Sequence, residues 1–274
     1  MMLRGVYQKN CFLSFLLLLP LIVFSQEENC NCPGSNIKNK GAFYISWGYN
    51  RDWFSKSDLH FYNNRSDNYD FVLYSVEAKD RPGFSHIPSL EISIPQYSYR
   101  FGYYFNNKHD LGVEINFDHS KYVMMQDQTV HIKGQIHGEV LDKDTVLNGD
   151  FLRFEHTNGA NFLMVNFIKR KNFLRSENRK HWLSAVLKPG AGIMIPKTDV
   201  SLFGARLDNR FHIAGWLAGI EMGLRYDVKH FFLEPTVKES FVNYTNVLTI
   251  GTGKANHHFW CLEAILTAGF QFPL

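Results

Sequence analysis

The final stretch of the chain, HFWCLEAILTAGFQFPL (residues 258–274), alternates between apolar and mixed residues with a period of two. Every second residue from Phe272 back to Trp260 is apolar, whereas the interleaved positions include Glu263 and Gln271. Successive side chains of a β-strand point to opposite faces of its sheet. The pattern therefore predicts a strand with one face in an apolar environment and the other in a polar one.

The same alternation recurs along the chain and predicts eight strands. They lie near residues 42–52, 94–105, 110–121, 150–170, 181–195, 211–226, 230–244 and 257–272. The apolar faces extend to about ten residues, which is the length of a tilted strand that crosses a bilayer. We therefore predict an all-β protein that forms an eight-stranded antiparallel transmembrane β-barrel.

The lengths of the connections predict how the barrel is oriented. The connections 105–110, 171–180 and 226–230 are short, as inner turns of such barrels are. The connections 53–93, 122–149, 196–210 and 245–256 are longer, and we expect them outside, with extended hairpins in 53–93 and 122–149. An even number of strands then returns both ends of the barrel to the inner side.

The polar faces of the strands favour a barrel over a soluble β-sandwich, which alternates in the same way. They are rich in glycine, which leaves room in a narrow barrel interior, and in charges of both signs. We expect these charges to pair in a closed lumen without a large pore, because an unpaired buried charge costs several kcal/mol. The predicted lumen charges are Arg100, Glu114, Asp118, Arg153, Glu155, Lys188, Glu221, Arg225, Glu234, Lys238 and Glu263.

The beginning of the chain has the features of a secretory signal peptide. A basic start precedes the apolar run CFLSFLLLLPLIVF (11–24), and a small residue follows it. We predict a signal peptide at residues 1–26, a periplasmic segment at 27–40 and the barrel at 41–274.

Charge and cysteine content restrict the partners and the covalent cross-links. A formal net charge of +3 without a basic patch gives no indication of nucleic-acid binding. After signal cleavage Cys30, Cys32 and Cys261 remain, and an odd number of cysteines rules out a complete disulfide framework. We expect no Cys30–Cys261 bridge, because these residues would lie at opposite ends of the barrel.

The chain resembles small eight-stranded outer-membrane β-barrel proteins over about residues 41–272. The resemblance rests on the alternating strands and on a terminal strand that ends on the aromatic residue Phe272. The resemblance implies the outer membrane of a Gram-negative-type envelope, membrane lipid and lipopolysaccharide as partners, and insertion by the barrel-assembly machinery. It also implies a monomer. Pro273 and Leu274 depart from the usual aromatic ending.

The segment FEHTNGANF (154–162) is the strongest candidate for catalytic chemistry. Outer-membrane lipid hydrolases of the lipid A deacylase and phospholipase types carry His-x-Ser-Asn, in which the histidine and the serine share a strand face. Here Thr157 directly follows His156, and adjacent residues of a strand point to opposite faces. Thr157 is therefore out of reach of His156 unless a bulge at Gly159 re-aims it.

A second histidine, His119, lies in DHSKY (118–122). Its position in the alternation predicts that His119 faces lipid at headgroup depth, as His156 would, and that its chain neighbours face the barrel interior.

Our leading hypothesis is a non-enzymatic outer-membrane barrel with a structural or binding role for its outer hairpins. The alternative is a lipid hydrolase that uses His156, His119, Ser120, Thr157 and Glu155. A transporter of small apolar molecules through a lateral gap is a third possibility.

We predict neither a cofactor nor a metal. His257 and His258 are adjacent and cannot share a strand face. His131 and His137 have no nearby cysteine or clustered carboxylates in the sequence.

Overall fold

A computed structural model describes residues 41–89, 95–105, 110–177 and 180–273. The signal peptide predicted at 1–26 and the segment 27–40 lie outside the described residues. The described part of the chain contains no helix that is long and apolar enough to cross a membrane.

The described residues form β-strands and one short 3₁₀ turn. The first strands are β1 (Ala42–Phe54), β2 (Ser57–Asn63), β3 (Tyr69–Val76), β4 (Ala78–Asp80), β5 (Tyr97–Tyr104), β6 (Leu111–His119), β7 (Tyr122–Met124), β8 (Thr129–Ile136) and β9 (Glu139–Val146), with the 3₁₀ turn at Phe84–Ser89. The others are β10 (Leu152–His156), β11 (Ala160–Arg175), β12 (His181–Pro196), β13 (Asp199–Leu202), β14 (Ala205–Asp208), β15 (Gly215–Val228), β16 (Phe231–Leu248) and β17 (Lys254–Pro273).

Eight of these strands close into an antiparallel barrel in the order β1-β5-β6-β11-β12-β15-β16-β17. The last strand pairs with the first, from Ala42 opposite Pro273 to Phe54 opposite Cys261. Closure satisfies the backbone hydrogen-bonding groups of every edge, which a strand assembly in lipid requires. The predicted eight-stranded antiparallel barrel is confirmed.

Two sheets rise from the outer end of the barrel, the end away from Ala42 and Pro273. One continues from β17 through β2, β3, β8 and β9, and the other has the order β14-β13-β10-β7-β4. We call these nine strands, β2 to β4, β7 to β10, β13 and β14, the outer head.

The predicted strand 150–170 is two strands, which is a correction. β10 belongs to the outer head and β11 to the barrel, and a turn at Thr157 and Asn158 separates them. Gly159 follows this turn with φ +127°, a conformation that other residues rarely adopt. Because of this break, the face of a residue on β10 cannot be deduced from the alternation of β11.

The outside of the barrel carries a continuous apolar belt. Its residues are 39% to 65% exposed and include Phe43, Ile45, Phe101, Val113, Ile115, Val165, Phe167, Leu224, Phe231, Val237 and Leu266. Trp53, Trp216 and Trp260 border the belt on the outer side, where such barrels carry an aromatic girdle. Water-soluble monomers rarely expose so large an apolar area. The belt therefore places the barrel in a lipid bilayer.

The interior has a polar zone and an apolar zone. The barrel lumen holds buried charged residues on β5, β6, β12, β15, β16 and β17. The outer end of the barrel and the space inside the outer head hold one apolar core, which includes Leu59, Phe61, Phe71, Leu152, Phe154, Phe162, Val242, Phe259 and Cys261. These side chains are at most 1% exposed, so the apolar core fills the space above the polar zone.

Candidate functional site

Lys188 lies near the centre of the charged lumen. Its Nζ is 2.9 Å from Glu114 Oε2, 2.5 Å from Glu234 Oε1 and 3.4 Å from Glu221 Oε1. Arg100 donates to Asp118 Oδ1 at 2.6 Å and reaches Glu221 Oε2 at 3.2 Å. Since Arg100 is on β5 and Glu221 on β15, this second contact spans the lumen between strands that are not neighbours.

Two further cations extend the lumen network. Lys238 pairs with Asp118 and, at 2.7 Å, with Glu263 Oε1. Arg225 donates to Asp227 Oδ1 at 2.9 Å, and its guanidinium lies 3.4 Å from the centroid of the Phe232 ring. The structure thus brings together Arg100, Glu114, Asp118, Lys188, Glu221, Arg225, Glu234, Lys238 and Glu263, each at most 2% exposed. Ion pairs therefore cross-link the walls and occupy the lumen.

A group around Asp52 was not predicted as part of the site. Ser120 donates to Asp52 Oδ2 at 2.5 Å and Gln96 donates to the same oxygen at 2.8 Å. Asn50 donates to Asp52 Oδ1 at 3.1 Å. The alternation of β1 contains the signal for this group, because Asn50 and Asp52 share its polar face. Ser120 was named as a catalytic residue in the hydrolase alternative, and its hydroxyl donates to the Asp52 carboxylate and not to a histidine.

His156 was expected to face lipid, and this is wrong. It is fully buried in the apolar core, on the face of β10 that also carries Phe154. Its Nδ1 lies 2.9 Å from the Thr198 hydroxyl, and its ring stacks on Tyr244 at a centroid distance of 4.8 Å. Burial lowers the pKa of His156 to about 3, so the imidazole is neutral at pH 7. The break before Gly159 is the reason for the reversed direction.

Thr157 does not contact His156 through a hydrogen bond. Its hydroxyl donates instead to Glu155 Oε1 at 3.2 Å. A nucleophile has to lie within hydrogen-bond reach of its base and of the substrate. His156 has a hydroxyl partner in Thr198, but both residues are fully buried.

His119 lies at the rim of the barrel and is 7% exposed. Its ring stacks on Tyr97 at 4.7 Å, and its Nδ1 is 2.8 Å from Asn161 Oδ1. Asn161 in turn donates to the carbonyl of Ile195 at 3.1 Å. Within the described residues no serine or threonine hydroxyl bonds His119, so the ring is held in place without a nucleophile.

Arg153 and Glu155 were predicted as lumen charges, and this too is wrong. Both lie on the outward face of β10 in the outer head, beyond the end of the barrel. The cause is again the break between β10 and β11, since β10 belongs to the second outer sheet.

The outward face of this sheet forms a cleft of about 440 Å³. Strand register places Lys79, Val123, Glu155, Asp199 and Asp208 in one row across the sheet. The next row holds Arg153, Ser201 and Arg206 as direct cross-strand neighbours. The cleft is therefore built from side chains of five strands that a packed core supports from behind.

The acidic groups of this face already have cationic partners. Arg81 Nη2 lies 3.1 Å from Glu155 Oε2, and Lys197 Nζ lies 2.8 Å from Asp208 Oδ2. Arg206 donates two hydrogen bonds to Asp199, at 3.0 and 2.5 Å, which hold the pKa of that carboxyl below its usual value.

Two cations of the cleft are not paired. Arg153 and Lys79 make neither a hydrogen bond nor an ion pair with other parts of the described structure. The charge of Arg153 does contribute to the lowered pKa of Asp199. The cleft therefore presents cationic groups that remain available to a ligand.

The described residues hold no cluster of three or more histidine, cysteine or acidic side chains suited to a metal ion. His257 is buried and His258 exposed, as expected of adjacent strand residues. The expectation that His131 has no carboxylates nearby is wrong, because pairing of β8 with β9 brings Asp144 to 3.0 Å and Asp142 to 2.9 Å from its ring nitrogens.

No protein-family model and no curated protein matches the sequence. Among solved structures, the chain is similar to Ail, the attachment invasion locus protein of Yersinia pestis, at 13% identity and a TM-score of 0.30, over 85% of this chain and 99% of Ail. It is similar to the outer membrane protein OprG from Pseudomonas aeruginosa at 12% identity and a TM-score of 0.35, over 86% and 98%. It is also similar to the outer membrane protease OmpT from Escherichia coli at 10% identity and a TM-score of 0.31, over 86% and 98%. The chain itself is an eight-stranded transmembrane β-barrel with a two-sheet outer head.

Proposed function

We propose that this protein is a non-enzymatic surface-binding protein, in which a closed barrel anchors the outer head and the head contacts the partner. The observation that carries the proposal is the combination of a lumen filled by ion pairs with a packed head that has an open cationic cleft.

The filled lumen argues against transport as the main role. Contacts such as Arg100 to Glu221 join opposite walls, and the apolar core lies above them. An eight-stranded barrel has room in its interior for little besides its own side chains. The same core argues against the lateral transport of apolar molecules, because its side chains already occupy the space.

The outer head has the rigidity that a binding surface needs. Phe61 stacks on Phe71 at 5.5 Å and meets Phe154 edge-on at 5.4 Å, so the two outer sheets share one aromatic core. Rigid scaffolds that present polar side chains at their surface are the usual basis of binding sites.

The partner that we propose is the lipopolysaccharide of the same membrane. The exposed tryptophans at the outer border of the apolar belt suit the membrane interface, which supports a partner located just beyond that interface. We expect a monomer, inserted by the barrel-assembly machinery through its terminal strand β17.

The proposal is tested with the full chain in phosphatidylcholine nanodiscs and planar bilayers. We expect saturable binding of delipidated lipopolysaccharide core oligosaccharide, no binding to empty nanodiscs, and no stable single-channel conductance. A defined open channel, or the absence of binding to any bacterial polysaccharide in a panel, contradicts the proposal.

The hydrolase alternative has its own assay. Acyl release from lipid A or phospholipid in mixed micelles should stay at the level of protein-free micelles. Release that disappears in His119→Ala or His156→Ala, with the barrel still folded, would replace our proposal by the enzymatic one.

A further inference from the structure

Arg153 occupies the middle of the cleft on the outward face of the second outer sheet. Its direct neighbour across the sheet is Ser201, and beyond Ser201 lies Arg206. Its guanidinium group lies beside Gly149, where an added Cβ would be 3.0 Å from Arg153 Nε. The side chain is thus positioned by its surroundings but has no anionic partner within ion-pair distance in the described structure.

The balance of charge in the cleft favours an anion. Glu155 and Asp199 are neutralised by Arg81 and Arg206, which leaves Arg153 and Lys79 against the exposed Asp127. Arg81 and Arg206 line the same cleft and add to its positive charge. The guanidinium group matches the geometry of phosphate oxygens with two parallel hydrogen bonds, which an ammonium group does not.

The size and the other residues of the cleft indicate what carries the anion. A volume of about 440 Å³ exceeds that of a single phosphate and falls in the range of pockets for small organic ligands. Ser201 and Gln126 supply a hydroxyl and an amide beside the cations, and Met125 supplies an apolar contact. Hydroxyl and amide groups next to an apolar wall suit a saccharide ring.

The position of the cleft indicates the source of the saccharide. Val123, in the floor of the cleft, follows the barrel residue His119 by four positions, which is at most about 13 Å of extended chain. His119 lies at the rim of the barrel. The cleft therefore opens just above the headgroups, where the saccharides of a membrane glycolipid lie.

From these observations we propose that the cleft binds a phosphorylated saccharide of the outer-leaflet glycolipid, with Arg153 as the central phosphate contact. This inference rests on the proposed surface-binding function and deepens it. It assigns the phosphate to Arg153, with Arg206 on the far side of Ser201, and the saccharide ring to Ser201, Gln126 and Met125.

The test measures the binding of lipopolysaccharide core oligosaccharide, before and after phosphatase treatment, to the full chain in phosphatidylcholine nanodiscs. We expect Arg153→Gln to weaken binding of the phosphorylated form by about tenfold or more, since hydrogen bonds to charged groups are among the strong ones. The matched control is Lys143→Gln, which removes an exposed cation from β9 in the other outer sheet and should leave the affinity unchanged. Heat-modifiable gel migration shows that each variant is folded.

The outcomes separate this inference from the proposed function. If Arg153→Gln binds the phosphorylated oligosaccharide as tightly as the unchanged chain, or if phosphatase treatment has no effect, the cleft inference is overturned while surface binding stands. If inorganic phosphate alone competes as strongly as the phosphorylated oligosaccharide, the saccharide assignment is overturned. If no oligosaccharide binds at all, both fall.

Discussion

Arg100 and Asp118 form a hydrogen-bonded ion pair inside the barrel, with 2.6 Å between Nη1 and Oδ1 and both side chains buried. The pair joins β5 to β6, while Arg100 also reaches Glu221 on β15 and Asp118 also pairs with Lys238 on β16. The pair and its two further partners thus connect four strands of the barrel, so removal of the pair should affect much of the lumen.

The first prediction concerns this pair. Arg100→Met leaves Asp118 and Glu221 with one cation fewer in a buried site, and we expect a loss of about 3–5 kcal/mol in the free energy of unfolding. Urea unfolding in detergent micelles measures it, and Lys171→Met, at an exposed position of β11, is the control. A loss no larger than that of the control would show that the lumen charges do not stabilise the barrel.

The second prediction concerns His156 and pH. Burial lowers its pKa to about 3, below the unfolded value near 6.5, so the unfolded state binds more protons between these values. Stability from this group is complete above about pH 6.5 and decreases by about 1.4 kcal/mol per pH unit as the pH falls toward 3. His156→Asn should reduce this slope in urea titrations at pH 4.5 and pH 7. An unchanged slope would show that other groups cause the acid sensitivity.

The third prediction concerns His131 in the hairpin of β8 and β9. The ring of His131 donates hydrogen bonds to Asp144 and Asp142, and these raise the pKa of His131 because both carboxylates favour the charged ring. NMR titration of its ring protons should show protonation persisting above the usual value, and Asp144→Asn should lower the midpoint. Asp150→Asn, outside this hairpin, should not. Because the ring is exposed, solvent screens its charge, and the titration midpoint is a better measure of these hydrogen bonds than the free energy of unfolding.

The fourth prediction concerns the glycine at the break between β10 and β11. Gly159→Ala places a side chain at φ +127° and a Cβ 2.5 Å from Asn161 Oδ1, the oxygen that bonds His119. Gly204→Ala also has a positive φ, +79°, but its Cβ meets open space. We expect a cost of about 1–2 kcal/mol for Gly204→Ala and a larger one for Gly159→Ala. Equal shifts of the urea midpoint would show that Asn161 yields without cost.

The eight-stranded barrel could be predicted from the sequence because strand alternation is a local property. Along an uninterrupted strand, each residue's face follows from that of its neighbour, so Glu221, Lys238 and Glu263 could be assigned to the lumen one by one. Phe43 and Phe272 could likewise be assigned to lipid. The requirement that a strand assembly in lipid has no free edge then leaves a closed barrel.

The tertiary structure decided everything that depends on a break in that alternation or on distant pairing. The turn before Gly159 reverses His156 from lipid to core and moves Arg153 and Glu155 from the lumen to the surface. Whether a chain turns at such a point depends on the energy of packing Phe154 against Phe61, and that contact joins residues far apart in sequence. The cleft likewise consists of side chains from β4, β7, β10, β13 and β14, and strands of the barrel or of the other outer sheet separate most of these strands along the chain. Local patterns carry no information on such pairings, because the free energy that selects them arises only when the apolar core assembles.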